Sequence, residues 1–243
     1  MARVNSRLGP LAEAHTSLGH AKLHSLEWDE AERRFRTAIE LAPGYATAHF
    51  YYANFLSARG RFDESIAEAR QALTLDPVSL VAEANLGVPL YNAGRYEEAT
   101  VICRKALYLH PGNARFHEDL GRILLAQGAL ADSIAALTQA VTLSQRSTRY
   151  LSSLGHALGV AGHKYRARDI LAELSTISQQ RYVGAFDFAL VYAGMDDRPQ
   201  AIRSLERAYE ERDPHLPFLK VDPRRASLQA DPPFLALLTR VGL

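Results

Sequence analysis

Small, large apolar and turn-forming residues return along this chain with a period of 34. Leu18, Tyr52, Leu86, Leu120, Leu154 and Phe188 put a large apolar residue at that interval. Gly19, Gly87, Gly121 and Gly155 follow them, with Ala53 and Ala189 in the two remaining places. Ala31, Ser65, Ala99, Ser133, Ala167 and Ala201 form a small-residue slot, and Ala38, Ala72, Ala106, Ala140 and Ala208 form another, in which Leu174 is the exception. Gly60, Gly94, Gly128 and Gly162 mark a turn in the four middle units, and Pro43, Pro77 and Pro111 mark a second turn. The slots fit a helical hairpin per unit. Small residues let its two helices approach, and a glycine ends the first helix in the left-handed conformation. Proline follows the second helix, which it cannot continue. Each hairpin leaves an apolar face that the next one buries.

The order apolar-Gly, Ala, aromatic, Ala, Pro, read in the first unit as Leu18-Gly19, Ala31, Phe35, Ala38 and Pro43, resembles the tetratricopeptide repeat, a 34-residue helix–turn–helix. The resemblance implies an all-α fold: a right-handed solenoid of six repeats whose first helices, termed A, line a concave groove. The expected repeats are 12–45, 46–79, 80–113, 114–147, 148–181 and 182–213. Residues 1–11 are expected to be the remnant of a preceding repeat or an N-terminal cap. From 214 to 243 the period is lost, and Asp222-Pro223 and Asp231-Pro232 each read as an N-cap with proline at the first helical position. Two short helices should therefore cap the array, with Phe234, Leu235, Leu237 and Leu238 covering the last repeat. Leu219-Lys220-Val221-Asp222-Pro223-Arg224 and Arg240-Val241-Gly242-Leu243 resemble the C-terminal repeat region of bacterial signalling proteins, in which such an array follows a winged-helix activator, a Ser/Thr kinase or a nucleotide cyclase.

Charge and composition narrow the function. The 28 basic and 27 acidic residues leave a net charge of +1, which offers no bulk attraction to nucleic acid or an anionic membrane. One cysteine, Cys103, excludes an internal disulfide. The N-terminal residues lead into no signal-peptide core and no apolar run is long enough to span a bilayer, so the expected location is the cytoplasm.

No arrangement of residues points to catalysis, and neither a cofactor nor a metal is expected. His20 and His24 share a helix face at i, i+4 with His15 nearby, but no further ligand is placed beside them by sequence. His117-Glu118 lacks the second histidine of a zinc motif, since position 121 is glycine. Gly155, Gly159 and Gly162 precede no Lys-Ser/Thr of a phosphate loop. Cys103 fills an apolar slot, and Arg33-Arg34-Phe35-Arg36 reads as a solvated outer face. Pro89 falls inside a first helix and should kink it.

The expected site is the groove. Register places Asn54, Asn85, Tyr91, Asn92, Arg115, Glu118, Asp119, Arg122 and His156 on helices A, facing inward. Some tetratricopeptide co-chaperones hold a peptide carboxylate with two asparagines and three basic residues. Asn54, Asn85 and Arg115 match three of those positions, but Phe50 and Asp119 stand at the other two, so that ligand is not expected. Arg115, Asp119 and Arg122 are spaced to pair along one helix face. The expected role is a scaffold that binds a protein or peptide segment through the second to fifth repeats. The alternatives are a regulatory segment of a signalling protein and, less favoured, a metal-dependent enzyme. Self-association through the ends of the array is a further expectation.

Overall fold

The computed structural model describes the backbone of residues 2–77 and 80–243, and side chains for residues 9–77 and 86–243. All regular structure among the described residues is helical. The chain forms two compact units, one of residues 1–102 with 241–243, the other of residues 103–240.

The first unit holds α1 (Ala2–His24), α2 (Trp28–Leu41), α3 (Ala46–Ala58), α4 (Phe62–Leu75), α5 (Leu80–Asn92) and the start of α6 (Tyr96–Leu109). Hairpin partners α1 and α2, and α3 and α4, pack on each other; the A helices α1, α3 and α5 form an adjacent row. Helix α1 runs unbroken from Ala2 through Pro10. Residues 2–11 share one helix with the A helix of the first repeat. Helix α5 likewise continues through Pro89, and the Pro89 carbonyl accepts from the Ala93 amide at 2.9 Å. The core of this unit is aromatic: Phe35, Phe55 and Tyr52 are buried, with Phe35 and Phe55 centroids 5.9 Å apart.

The second unit continues through α7 (Ala114–Ala126), α8 (Leu130–Leu143), α9 (Thr148–Val160), α10 (Lys164–Ser178), α11 (Ala185–Gly194) and α12 (Arg198–Glu210). Its core is aliphatic, built on Leu137, Leu151, Leu158, Leu174 and Val191. Two 3-10 turns, Leu216–Phe218 and Pro223–Leu228, lead to α13 (Pro232–Val241). Asp222 caps the second turn as its sequence suggests, its carboxylate accepting from the Arg224 amide at 3.0 Å. The first expected capping helix is therefore a tighter 3-10 turn. Phe234, Leu237 and Leu238 are buried, but Leu235 is 46% exposed.

The small-residue slot explains the period. Ala31, Ser65, Ala99, Ser133, Ala167 and Ala201 are all fully buried at the hairpin contact. Where the slot holds serine, the hydroxyl donates to an A-helix carbonyl: Ser65 to Ala53 at 2.6 Å and Ser133 to Gly121 at 2.7 Å. Contact between α9 and α11 is closer still, because a Cβ at Gly159 would lie 2.5 Å from the Gly194 carbonyl carbon. Acidic residues open the second helices, Asp29 and Glu30, Asp63 and Glu64, Glu97 and Glu98, where they complement the helix dipole.

The hairpin turn is left-handed in all six repeats, and glycine is not always there to make it. Gly60, Gly94, Gly128 and Gly162 have φ of 72°, 74°, 78° and 81°. The same slot holds Leu26 at φ 62° and Asp196 at φ 59°. Between the fourth and fifth repeats, where Gln145 replaces the turn proline, Gln145 and Arg146 are both left-handed. A left-handed side-chain residue costs roughly 1–2 kcal/mol. We expect Gly128→Leu, whose Cβ meets open space, to lower stability by about 1–2 kcal/mol through the backbone alone. Asp196→Gly should change it in the opposite direction, by about 0.5 kcal/mol. Urea denaturation of both variants reads the two signs; equal signs would contradict the assignment.

His49 ties helix α4 to the turn before α3. Its Nδ1 lies 2.6 Å from the Glu68 carboxylate and its Nε2 2.9 Å from the Pro43 carbonyl, so the protonated ring satisfies both acceptors. His117 repeats the second bond, to the Pro111 carbonyl at 2.8 Å. The Glu68 hydrogen bond raises the His49 pKa above its ordinary value, with burial opposing and the Pro43 bond assisting. Its stabilisation is complete below the unfolded value of about 6.5 and is lost as pH rises through the raised folded value. Thermal midpoints of the protein should exceed those of Glu68→Gln at pH 6, and the gap should narrow at pH 9. A gap independent of pH would rule this linkage out.

Candidate functional site

In the first unit, helices α1 and α3 bring rings together beside an amide. His20 lies against Tyr51, with centroids 4.6 Å apart, and Tyr51 against Phe50 at 4.7 Å. His20, Phe50, Tyr51 and Asn54 are all half-buried. The His20 and His24 Nε2 atoms are 3.1 Å apart, so one ring donates to the other. Burial lowers the His20 pKa, which favours the neutral form such a pair needs. His15 does not join them; its Nδ1 lies 3.4 Å from Arg34. Among the described residues no three His, Cys, Asp or Glu side chains are grouped to hold a metal ion.

Other expected groove residues sit elsewhere. Tyr91 is buried, 3% exposed, beside Tyr96, because its ring fills the hairpin instead of facing inward. Asn92 donates to the Ser57 hydroxyl at 3.0 Å, an interhelical bond. The Asn85 side chain lies outside the described residues. Arg33 and Arg36 are exposed as expected, though each is paired, Arg33 with Glu30 and Arg36 with Glu32.

In the second unit the A helices α7 and α9 carry a largely buried charge cluster. Glu118, 2% exposed, accepts from Arg149 Nε at 2.9 Å and from the Ser153 hydroxyl at 2.7 Å. Burial pushes its pKa up, but Arg149, Arg122, Arg224 and the Ser153 bond together hold it below the usual value. Asp119 lies 3.7 Å from Arg115 and 3.8 Å from Arg122, the pairing the spacing suggests. Burial dominates there and raises the Asp119 pKa.

The cluster is completed from the C-terminal turn. Arg122 lies 3.9 Å from Asp222, which also pairs with Arg224 at 2.6 Å and Arg225 at 3.3 Å. Asp222 is desolvated, yet Arg224, Arg225 and Arg122 hold its carboxyl well below the usual range. Arg224 also donates to the Ser153 hydroxyl at 3.2 Å. Arg225, 2% exposed, donates to the Leu219 and Phe218 carbonyls and lies over the Phe186 ring at 5.0 Å. His156, expected to face a partner, is instead 4% exposed under this turn. Its Nε2 donates to the Arg224 carbonyl at 3.0 Å, so Nδ1 is the unprotonated nitrogen; burial, then the Arg224 charge, lowers its pKa to about 4. Arg122 and Asp119 are mostly covered as well, with side chains 12% and 13% exposed. Arg149, Ser153, Asp222, Arg224 and Arg225 carry this site without having been expected. The one sequence signal was Asp222-Pro223, which reads as a helix start and says nothing of the arginines it gathers.

Tetratricopeptide repeat models match residues 16–79 and residues 90–157. Protein O-mannosyl-transferase TMTC1 of Homo sapiens is 42% identical over 60 residues, 25% of this chain and 7% of its own length; the Mus musculus protein is 42% identical over 60 residues, 6% of its length. The chain spans so small a share of these relatives that the transfer in their name stays theirs. Among solved structures, Pseudomonas aeruginosa pilF superposes with a TM-score of 0.58 at 21% identity, covering 88% of this chain and 96% of that one. The APC/C hetero-tetramer Cut9–Hcn1 gives 0.62 at 18% identity over 95% of this chain and 42% of that one. MamA of Desulfovibrio magneticus RS-1 gives 0.55 at 17% over 71% and 97%. These likenesses share the fold. With the matched segments and the 34-residue slots in agreement, the chain is a tetratricopeptide-repeat protein.

Proposed function

We propose that the protein is an interaction scaffold that takes a partner's extended segment or helix along the inner faces of its A helices. Tetratricopeptide repeats generally mediate protein–protein contact, and nothing in the described charge clusters is arranged as a nucleophile with its base. The observation that carries the reading is the half-open face of α1 and α3, where His20, Phe50 and Tyr51 offer apolar rings beside the Asn54 amide. An amide can bond a peptide backbone through both its donor and its acceptor, and the rings supply burial. The cytoplasm is the location consistent with this reading; no helix among the described residues is long and apolar enough to cross a membrane.

A second reading has its own support. Residues 219–224 and 240–243 resemble the end of repeat arrays in bacterial signalling proteins, so the chain would be the regulatory part of a regulator, kinase or cyclase. It is compatible with the first, since such a part also works by binding.

Peptides selected by the full chain from a displayed random library provide the ligand for a direct test. Phe50→Ala with Asn54→Ala should weaken the enriched peptides at least tenfold by fluorescence polarisation, with the circular dichroism spectrum unchanged. Arg33→Ala with Arg34→Ala, on α2, should stay within about twofold. The reverse order would place binding on the outer face.

A further inference from the structure

The charge cluster of the second unit has the makings of a recognition site that is already occupied. Its walls are Glu118 and Arg122 of α7, Ser153 and His156 of α9, and Phe186 of α11. Its occupant is the turn Asp222-Pro223-Arg224-Arg225. Each functional group of the turn meets its complement: the Asp222 carboxylate faces Arg122, the Arg224 guanidinium meets the Ser153 hydroxyl next to Glu118, the Arg224 carbonyl accepts from His156, and the Arg225 guanidinium stacks on Phe186. These are the contacts of a peptide in a groove, made here within one chain.

We propose that the inner face of α7, α9 and α11 is a peptide-docking site held closed by the chain's own residues 216–228, and that the partner opening it presents the same chemistry, an aspartate followed by arginines. The inference rests on the inner-face reading above but concerns a different set of residues. Two features argue that the turn is a displaceable occupant rather than a fixed part of the core. First, its polar contacts with the walls are few, Arg122 with Asp222 at 3.9 Å, Arg224 with the Ser153 hydroxyl at 3.2 Å and His156 with the Arg224 carbonyl at 3.0 Å, whereas the shortest ion pair of Asp222 is to Arg224 of the turn itself at 2.6 Å and would leave with it. Second, the cluster gathers the guanidiniums of Arg115, Arg122, Arg149, Arg224 and Arg225 around the carboxylates of Glu118, Asp119 and Asp222. Departure of the turn removes one carboxylate and two guanidiniums, and leaves Glu118 and Asp119 facing Arg115, Arg122 and Arg149. The open site is thus nearly balanced and keeps an acceptor for an incoming arginine and a donor for an incoming aspartate. Leu216, Leu219 and Leu228 are the buried apolar anchors of the segment and would have to leave with it.

The probe is a labelled synthetic peptide of residues 214–231, added to the full-length chain. The protein itself should bind it weakly, and Asp222→Ala with Arg224→Ala should bind it at least tenfold more tightly, because the tethered competitor is crippled. A peptide with both arginines changed to glutamate should lose that binding. If the double variant keeps its helical circular dichroism signal and shows no gain, the proposal is overturned. If the double variant unfolds, hydrogen exchange of the unaltered protein decides. Amides of 216–229 should then exchange faster than those of α9, and faster again, severalfold, with excess peptide present. Exchange at the α9 rate, unmoved by peptide, would identify the turn as a permanent cap. None of these readouts involves Phe50 or Asn54, so failure here leaves the first-unit site untouched.

Discussion

Everything in this fold depends on how closely two helices can approach at one small residue. Buried alanine or serine at a fixed point of every hairpin brings the backbones within reach of each other, and the remaining slots follow from that separation. At Gly19 and Gly121, an added Cβ would collide with the side chains of Phe35 and Leu137, so the absence of a side chain on one helix is what accommodates the bulky one on the other. Where serine takes the small slot, its hydroxyl must find a partner in the dry contact, and the carbonyl of the facing helix supplies it. The 34-residue period is the sequence record of this one contact repeated.

That is why the architecture was legible and much of the site was not. Small residues, turn glycines and terminal prolines act locally, and their spacing survives in one dimension. The left-handed turn was visible through Gly60, Gly94, Gly128 and Gly162, and hidden where Leu26 and Asp196 adopt the same backbone against their preference. Glu118 and Arg122 lie on α7 and His156 on α9, but a place on an A helix does not leave a side chain open. What covers them lies about seventy residues beyond His156 and about a hundred beyond Arg122, in a stretch with no period. Tyr91 failed for a related reason: position on an A helix sets a direction only roughly, and an aromatic ring will take an available hairpin cavity over solvent.

The same charge cluster gives the second unit its response to acid. Glu118 and Asp222 titrate below their ordinary values, so their stabilisation is present above the unfolded carboxylate range and is lost as pH falls through the lowered folded values. His156 acts earlier on the descent: the unfolded ring takes a proton near 6.5, the buried one near 4, and stability declines between those limits. Asp119, raised by burial, runs counter to the other two carboxyls. The net tendency is for the polar seam to weaken in acid while the aliphatic core of Leu137, Leu151 and Leu174 is unaffected.

Cys103 is shut away at the contact of α6 with α7. Its thiol is buried against the Phe116 carbonyl, which accepts from Sγ at 3.1 Å, and burial, with Asp119 nearby, pushes its pKa up to about 12. At neutral pH it is therefore almost wholly the unreactive thiol, and reagents cannot reach it in the closed fold. As the chain's sole sulfhydryl, it is a built-in timer: the rate at which an alkylating agent consumes it records how often the α6–α7 contact breathes, with no label added and no residue changed.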